Sequence, residues 1–410
     1  MKCRVHCAYL AGVAAVCAAW IPAVRAAPGD TFLVSFHYAP ATSDQALFTR
    51  AISGTGRFVL FESFSNAVVP PAGTSTGKRN LLVRDRLGGS TTLASLSATG
   101  QPVDAAGADM SADGRYVAFQ SYEAVVSVDN NNAADIFLRD LQAGTTERIS
   151  VFPAGQPYTV SGYDVDMSRD GRYVAFAGTG YAYLRDRLTR QTHARYVRGL
   201  NSPVLVSDDG RYLAYSNWER LLVHDRSTKT NELVNVNTAG QQANDRCYLA
   251  DLSADARYVL FVSRASNLVA GDTNGDYDVF VRDRTLRRTE RVSVTSDGQQ
   301  FSSIVSYVRP RMSADGRYVA FTSTIRSVPA PGGNYNLAVY DVFRRDRAKG
   351  KTWLATANSA GVKANNTSWS PLVSDDGRFV AFASKATNLS VADGDAYWDA
   401  YVHQFSVAPL

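Results

Sequence analysis

Apolar residues along this chain come in short runs broken by Gly, Asp, Asn and Ser, and helical periodicity is absent. Runs of this length, rich in Val, Tyr and Phe, predict many short β-strands joined by turns. Seven of them are copies of one pattern: ISGTGRFVLF at 52–61, MSADGRYVAF at 110–119, MSRDGRYVAF at 167–176 and VSDDGRYLAY at 206–215. LSADARYVLF at 252–261, MSADGRYVAF at 312–321 and VSDDGRFVAF at 373–382 complete the set. Repetition at this spacing predicts a stacked or ring-shaped array in place of one globular core.

Each copy reads as a strand ending in Ser, an Asp-Gly reversal and a second strand. A third run follows at 81–85, 136–140, 183–186, 221–225, 279–283 and 342–346, most ending in Arg-Asp. A fourth, such as ERISV at 147–151 or ERVSV at 290–294, closes the unit. Four antiparallel strands per repeat are the blade of a β-propeller. TFLVSF at 31–36 resembles a fourth strand, and the seventh unit stops after its third. The predicted fold is therefore all-β: a single seven-bladed β-propeller over 27–410, closed by the N-terminal strand completing the last blade. Closure removes exposed sheet edges.

The turn glycine supplies positive φ without steric penalty. Ala256 replaces it in the fifth copy, so that turn is expected to be strained by about 1 kcal/mol or rebuilt.

The Ser-x-Asp-Gly-Arg-Tyr-Val-Ala-Phe core resembles the WD40-like propeller repeat of the TolB family, with Ser-Pro-Asp-Gly-Lys/Arg followed by an aromatic or aliphatic strand. The resemblance covers essentially the whole chain after its first 26 residues and implies the propeller fold. It departs from that family in blade number, since TolB has six, and in lacking a TolB-like N-terminal domain. Some TolB-like propellers are carbohydrate lyases with a histidine-rich metal site at the ring centre.

Residues 1–26 form a separate segment. Lys2 and Arg4 precede an apolar run ending near Val24, and Val24-Arg25-Ala26 fits a cleavage site, the pattern of a signal peptide. A periplasmic or secreted location follows, with an uncleaved anchor as the alternative. Without the leader the chain has 40 basic and 38 acidic residues and no basic run, which argues against nucleic acid as a partner. No later stretch is long enough for stable membrane insertion. Only Cys247 remains outside the leader, so no intramolecular disulfide is available.

Strand alternation puts the Asp-Gly turns on one face and the longer, variable loops on the other. The loops are long at 64–80, 122–134, 264–277, 324–340 and 385–398 and short at 178–181 and 217–220, which makes a notch. Variable loops on a rigid frame are the usual place for function. Asp272, Asn274, Asp276 and Asp278 place oxygen ligands at alternate positions, a pattern suited to Ca²⁺. Asp129, Asn131 and Asp135, and Asp393, Asp395 and Asp399, repeat it. The competing reading is turns that lead into the third strand, since Asp341 recurs at the same place without the rest.

Two residues before the turn Ser stand Asp109, Asp166, Asp251 and Arg311, on inner strands near the channel. Buried charges must be paired, so inter-blade ion pairs are the expected role, with a channel ligand site as the alternative. Trp218, Tyr181, Trp369 and Trp398 on the loop side are candidate ligand-stacking residues. Gly73-Thr-Ser75-Thr-Gly77 matches a nucleophile-elbow string but lacks the following helix. His37, His193, His224 and His403 are scattered over different blades. The sequence therefore predicts an exported, monomeric, non-enzymatic propeller requiring no cofactor. It would bind a protein or peptide through the loop face, with Ca²⁺ as a candidate ordering ion. A carbohydrate-binding or lyase-type propeller and a structural envelope scaffold are the alternatives.

Overall fold

In the computed structural model the strands fall into seven antiparallel sheets of four. The structure describes residues 29–35, 47–64, 77–127, 129, 131, 133–151, 164–217, 219–301, 304–305, 308–324, 339–393 and 395–405. No helix among them is long and apolar enough to cross a membrane. β1 (Thr31–Leu33) precedes the blades. Blade one is β2 (Leu47–Ile52), β3 (Phe58–Ser63), β4 (Asn80–Asp85) and β5 (Ser90–Leu93). Blade two is β6 (Ala106–Met110), β7 (Tyr116–Ser121), β8 (Asp135–Asp140) and β9 (Thr145–Arg148). Blade three is β10 (Val165–Met167), β11 (Tyr173–Gly178), β12 (Tyr181–Asp186) and β13 (Gln191–Tyr196). Blade four is β14 (Asn201–Val206), β15 (Tyr212–Ser216), β16 (Leu221–Asp225) and β17 (Thr230–Leu233). Blade five is β18 (Cys247–Leu252), β19 (Tyr258–Ser263), β20 (Asp278–Asp283) and β21 (Arg288–Arg291). Blade six is β22 (Arg311–Met312), β23 (Tyr318–Thr324), β24 (Tyr340–Asp346) and β25 (Lys351–Leu354). Blade seven contributes β26 (Ser368–Val373), β27 (Phe379–Ser384) and β28 (Asp399–Gln404).

The second and third strands lie deepest. Val-Ala-Phe runs along β7, β11, β23 and β27 are buried on both sides because each sheet packs face to face with its neighbours. Phe61, Phe119, Phe176, Phe261, Phe321 and Phe382 are fully buried. Each such ring contributes roughly 2–3 kcal/mol relative to exposure.

The junctions between blades explain the repeat. Its glycine does need positive φ (Gly114 +76°, Gly171 +73°), but it also presses against the aromatic ring of the blade before. A Cβ on Gly114 would overlap Phe58, one on Gly171 would overlap Tyr116, and one on Gly316 would overlap Tyr258. An arginine from the same blade then covers that ring. Arg187 lies 4.3 Å from the centroid of Tyr116 and Arg347 4.4 Å from that of Tyr258. Each donates to its own turn carbonyl, Arg187 to that of Gly171 at 2.6 Å and Arg347 to that of Gly316. The repeat arginine also lies against the ring: Arg115 is 4.8 Å from Tyr116 and donates through Nε and Nη2 to the Asp140 carboxylate. The same pairing joins Arg57–Asp85, Arg172–Asp186, Arg211–Asp225, Arg257–Asp283 and Arg317–Asp346.

Backbone bonds join the turns around the channel at five of the seven junctions, and the Arg169 N–H donates to the Asp208 side chain at a sixth. The Gly54 N–H donates to the Ala112 carbonyl at 2.9 Å, Ala112 to Arg169 at 2.8 Å, and Asp375 to Gly54 at 3.1 Å. Asp208 and Ala254 continue it to Ala254 and Ala314.

Closure follows the expected route. β1 pairs antiparallel with β28, Thr31 opposite His403 and Leu33 opposite Tyr401. Thr31 donates its hydroxyl to the Ala357 carbonyl of blade six. Thr146, Thr192, Thr289 and Thr352 make the same bond to the preceding blade in other units.

At Ala256 the turn is kept and strained: φ is +56° and the residue is fully buried. Left-handed geometry costs an L residue about 1–2 kcal/mol, and burying one methyl returns about 0.8 kcal/mol. Ala256→Gly should therefore raise the melting temperature by at most a degree or two; a fall would overturn the strain reading. Gly114→Ala should be much worse, destabilising by about 2–4 kcal/mol in denaturant melts, because strain and overlap with Phe58 add.

Candidate functional site

A cavity of about 140 Å³ occupies the channel, lined by Asp109, Asp166, Asp251, Arg311, Arg50 and the turn residues. The three aspartates fall together, as their shared position predicts, but ion pairing is not their main role. Each reaches across a junction to the backbone of the next blade. Asp109 accepts from Met167 N–H at 2.9 Å, Asp166 from Val206 at 2.8 Å and Asp251 from Met312 at 2.8 Å. Asp109 and Asp251 also accept from their following residues, Met110 and Leu252. Arg311 lies 3.9 Å from Asp251, and Arg309 3.5 Å from Asp164. Burial lifts the Asp109 carboxyl to about 6 against the pull of Arg311 and two N–H groups. Asp166 is raised well above the carboxylate range, by burial first and then by Asp109. Arg311 is pushed up by Asp251, Asp109 and Asp166, although burial, the largest influence, opposes them.

At the turn-face end Arg169 of blade three reaches across to Asp375 of blade seven and lies 3.4 Å from Asp208. A Cβ on Gly54 would overlap the Asp375 carboxylate, so glycine in blade one leaves room for this bar. The signal in the sequence is the residue after the turn Ser, which varies from blade to blade and is charged only at Arg169, Asp208 and Asp375.

The acidic loops resolve by comparing blades. In blade five Arg291 lies 3.5 Å from Asp272 and 3.8 Å from Asp278. Gln300 donates to both carboxylates, at 3.0 and 2.6 Å. Asn274 donates its amide to Asp278, and Asp276 caps the N–H of Tyr277. The loop expected to offer four oxygens to an ion thus holds a guanidinium and an amide between its outer carboxylates. Blade two repeats this with Arg148 against Asp129 and Asp135, and blade six sets Lys363 against Asp341. Blade seven differs: the strand position of Arg148 and Arg291 is taken there by Leu33 of β1. Its Asp393, Asp395 and Asp399 bring carboxylate oxygens within 4.8 Å of one another. Burial first, then Asp393 and Asp395, raise Asp399 to about 7 while the Ser35 hydroxyl opposes. Tyr401 donates to Asp393 at 2.6 Å.

Trp369 and Trp398 stack on each other, 4.4 Å apart and 4° from parallel. Phe48 extends the stack on Trp369, and Lys385 sits 5.4 Å from the Trp398 ring. Both tryptophans are half-buried against the core shared by blades seven and one. Tyr181 is 38% exposed and meets Tyr196, 64% exposed, edge to face at 5.4 Å. Trp218, His37 and Ser75 lie outside the described residues. The remaining histidines are structural in setting. His193 is on β13, His224 bonds Asn231 and the Thr230 carbonyl, and His403 bonds Thr31.

No family model matches the chain, and no curated protein matches it. Solved structures do. The β-propeller domain of the Trilobed protease from Pyrococcus furiosus, described as having an open velcro topology, aligns at a TM-score of 0.57 and 9% identity, covering 88% of this chain and 96% of that one. An oligogalacturonate lyase in complex with manganese aligns at 0.55 and 10%, covering 93% and 99%. TolB from Acinetobacter baumannii matches at 0.44 and 14%, covering 75% of this chain and 62%, less than two thirds, of TolB. The chain is a seven-bladed β-propeller. At these identities the likeness concerns the fold. Among the described residues that line the channel cavity there is no histidine, and its three aspartates accept from backbone N–H groups.

The channel gives a pH test. A carboxyl raised to about 6 in the folded state binds a proton that the unfolded chain releases near 4. Its contribution is greatest below pH 4 and is lost as pH rises through 6. Asp109→Asn should therefore flatten the fall of melting temperature between pH 4 and 6 relative to the parent. An identical slope in both proteins would overturn the assignment.

Proposed function

We propose that the chain is an exported, non-enzymatic propeller that binds a protein or peptide through its loop-rich face. The observation that carries this reading is the division between the faces. Repeated side chains of the turn face are spent on blade junctions, whereas Tyr122 (56% exposed), Tyr181, Tyr196 and Phe64 stand exposed at the loop ends of their blades. Exposed aromatics beside a low rim suit anchoring of a partner chain. A carbohydrate partner is the rival, because the same rings could stack on sugars. Peptide and glycan arrays separate the two. Peptide binding weakened about tenfold or more by Tyr181→Ala or Tyr122→Ala is the expected result. Oligosaccharide binding lost on Trp398→Ala would instead favour the rival.

Calcium ordering of a loop belongs to the same proposal, and of the three acidic loops we take that of Asp393, Asp395 and Asp399 as its site in place of Asp272, Asn274, Asp276 and Asp278. The blade-seven loop brings three carboxylates together beside Leu33. Hard oxygen donors of this kind suit Ca²⁺. Added calcium should raise the melting temperature of the parent and not of an Asp393→Asn/Asp395→Asn variant. An unchanged melting temperature with chelator, and no ion bound at saturating calcium, would remove calcium from the proposal.

A further inference from the structure

The turn between third and fourth strands ends in a left-handed residue in six blades. Glycine occupies it in blades one, two and six: Gly89, Gly144 and Gly350, at φ +69°, +68° and +62°. Blades three, four and five place Arg190, Lys229 and Arg287 there, at +56°, +60° and +52°. All three are exposed. Glycine would remove the strain, so three long cations at one unfavourable position in consecutive blades point to a role beyond turn geometry.

Their surroundings say what the role is. Arg288, Lys349 and Lys351 are exposed on neighbouring turns of the same face. The acids of this rim are already engaged: Glu147 pairs with Arg187, Glu232 with Arg284 and Glu290 with Arg347, and Asp297 accepts from the Thr295 hydroxyl. Carboxylates of the inner Asp-Gly turns, such as Asp113 and Asp170, are bonded to their own Ser hydroxyl and Arg N–H. Among these cations protrude Leu87, Leu188 and Leu286, 66%, 75% and 65% exposed. They stand in the turns between third and fourth strands of blades one, three and five, alternate members of the ring, all on that one face. A peptide would meet one such turn at a time, whereas a flat surface meets all three.

We propose that the rim of the turn face docks peripherally on an anionic lipid surface. Leu87, Leu188 and Leu286 enter the interfacial layer, and Arg190, Lys229, Arg287 and their neighbours face the headgroups. No bilayer is crossed, and the loop face is left pointing away from the lipid.

Vesicle flotation of the full chain tests this. Phosphatidylcholine vesicles containing phosphatidylglycerol should carry the protein, pure phosphatidylcholine should not, and high salt should release it. Leu87→Ser/Leu188→Ser/Leu286→Ser should weaken binding roughly tenfold or more. Arg190→Gly/Lys229→Gly/Arg287→Gly should weaken it by about fivefold per charge while leaving the melting temperature unchanged or raised. Val391→Asp, at a fully exposed loop-face position, should have no effect. The proposal fails if anionic vesicles do not bind, if the leucine and cation variants bind like the parent, or if Val391→Asp abolishes binding. Binding to polyglutamate without binding to vesicles would assign the rim to an acidic protein and overturn the lipid assignment.

Discussion

Everything in this ring depends on how closely one blade can approach the next. The approach is set by a turn backbone resting directly on an aromatic ring, with no side chain between. Gly171 on Tyr116 is representative: the ring is enclosed by Arg115 from its own blade and Arg187 from the next, and Arg187 ties back to the Gly171 carbonyl. Van der Waals contact, cation–π attraction and a charge-assisted hydrogen bond thus act at one point. Repeated around the ring, this geometry fixes the spacing at which Phe119 and its equivalents fill the gap between sheets. Where the set is incomplete, substitutes appear. Leu141 stands after Asp140 where most other blades carry arginine, and it packs against the same core cluster as Phe58. Arg344 of blade six reaches Tyr318, Phe405 and the Gly377 carbonyl.

The strands, the blade count and closure by residues 31–33 were legible because each follows from local pattern. Thr31, Leu33 and Ser35 hold the places of Thr146, Arg148 and Ser150 in a fourth strand, and the structure pairs them accordingly. The reason for the glycine was only half legible. Positive φ can be inferred from a turn, but contact with Tyr116 involves a residue 55 positions away whose partner is known only once blades are stacked. The channel aspartates were located correctly and their partners were not. A side chain reaching a backbone N–H of the next blade leaves no complementary residue in the sequence to find. Arg169 and Asp375 escaped notice for a similar reason, since a chord across the ring has no signature in spacing.

The pre-strand aspartates show how one structural problem receives several solutions. Asp135, Asp278, Asp341 and Asp399 are all buried and all accept from a Ser or Thr hydroxyl. A buried carboxylate needs compensation beyond one hydroxyl. Arginine from the fourth strand supplies it in blades two and five, and Lys363 in blade six. In blade seven the fourth strand is borrowed from the N-terminus and brings Leu33. Ring closure therefore decides which residue stands at this strand position beside the Asp393–Asp395–Asp399 loop.

Backbone strain separates structural exceptions from informative ones. Ala256 and Arg190 both hold left-handed positions that glycine fills elsewhere. Ala256 is fully buried against its neighbour, so packing of its methyl offsets part of the strain and no external partner is needed to explain it. Arg190, Lys229 and Arg287 are exposed, so burial of their side chains does not offset the strain. A sequence free to place glycine there would gain stability by doing so. Retention of a long cation at the same strained point in three consecutive blades is therefore better explained by what the rim meets than by how the rim folds. The regular pattern builds the junctions, and the positions that break it face outward.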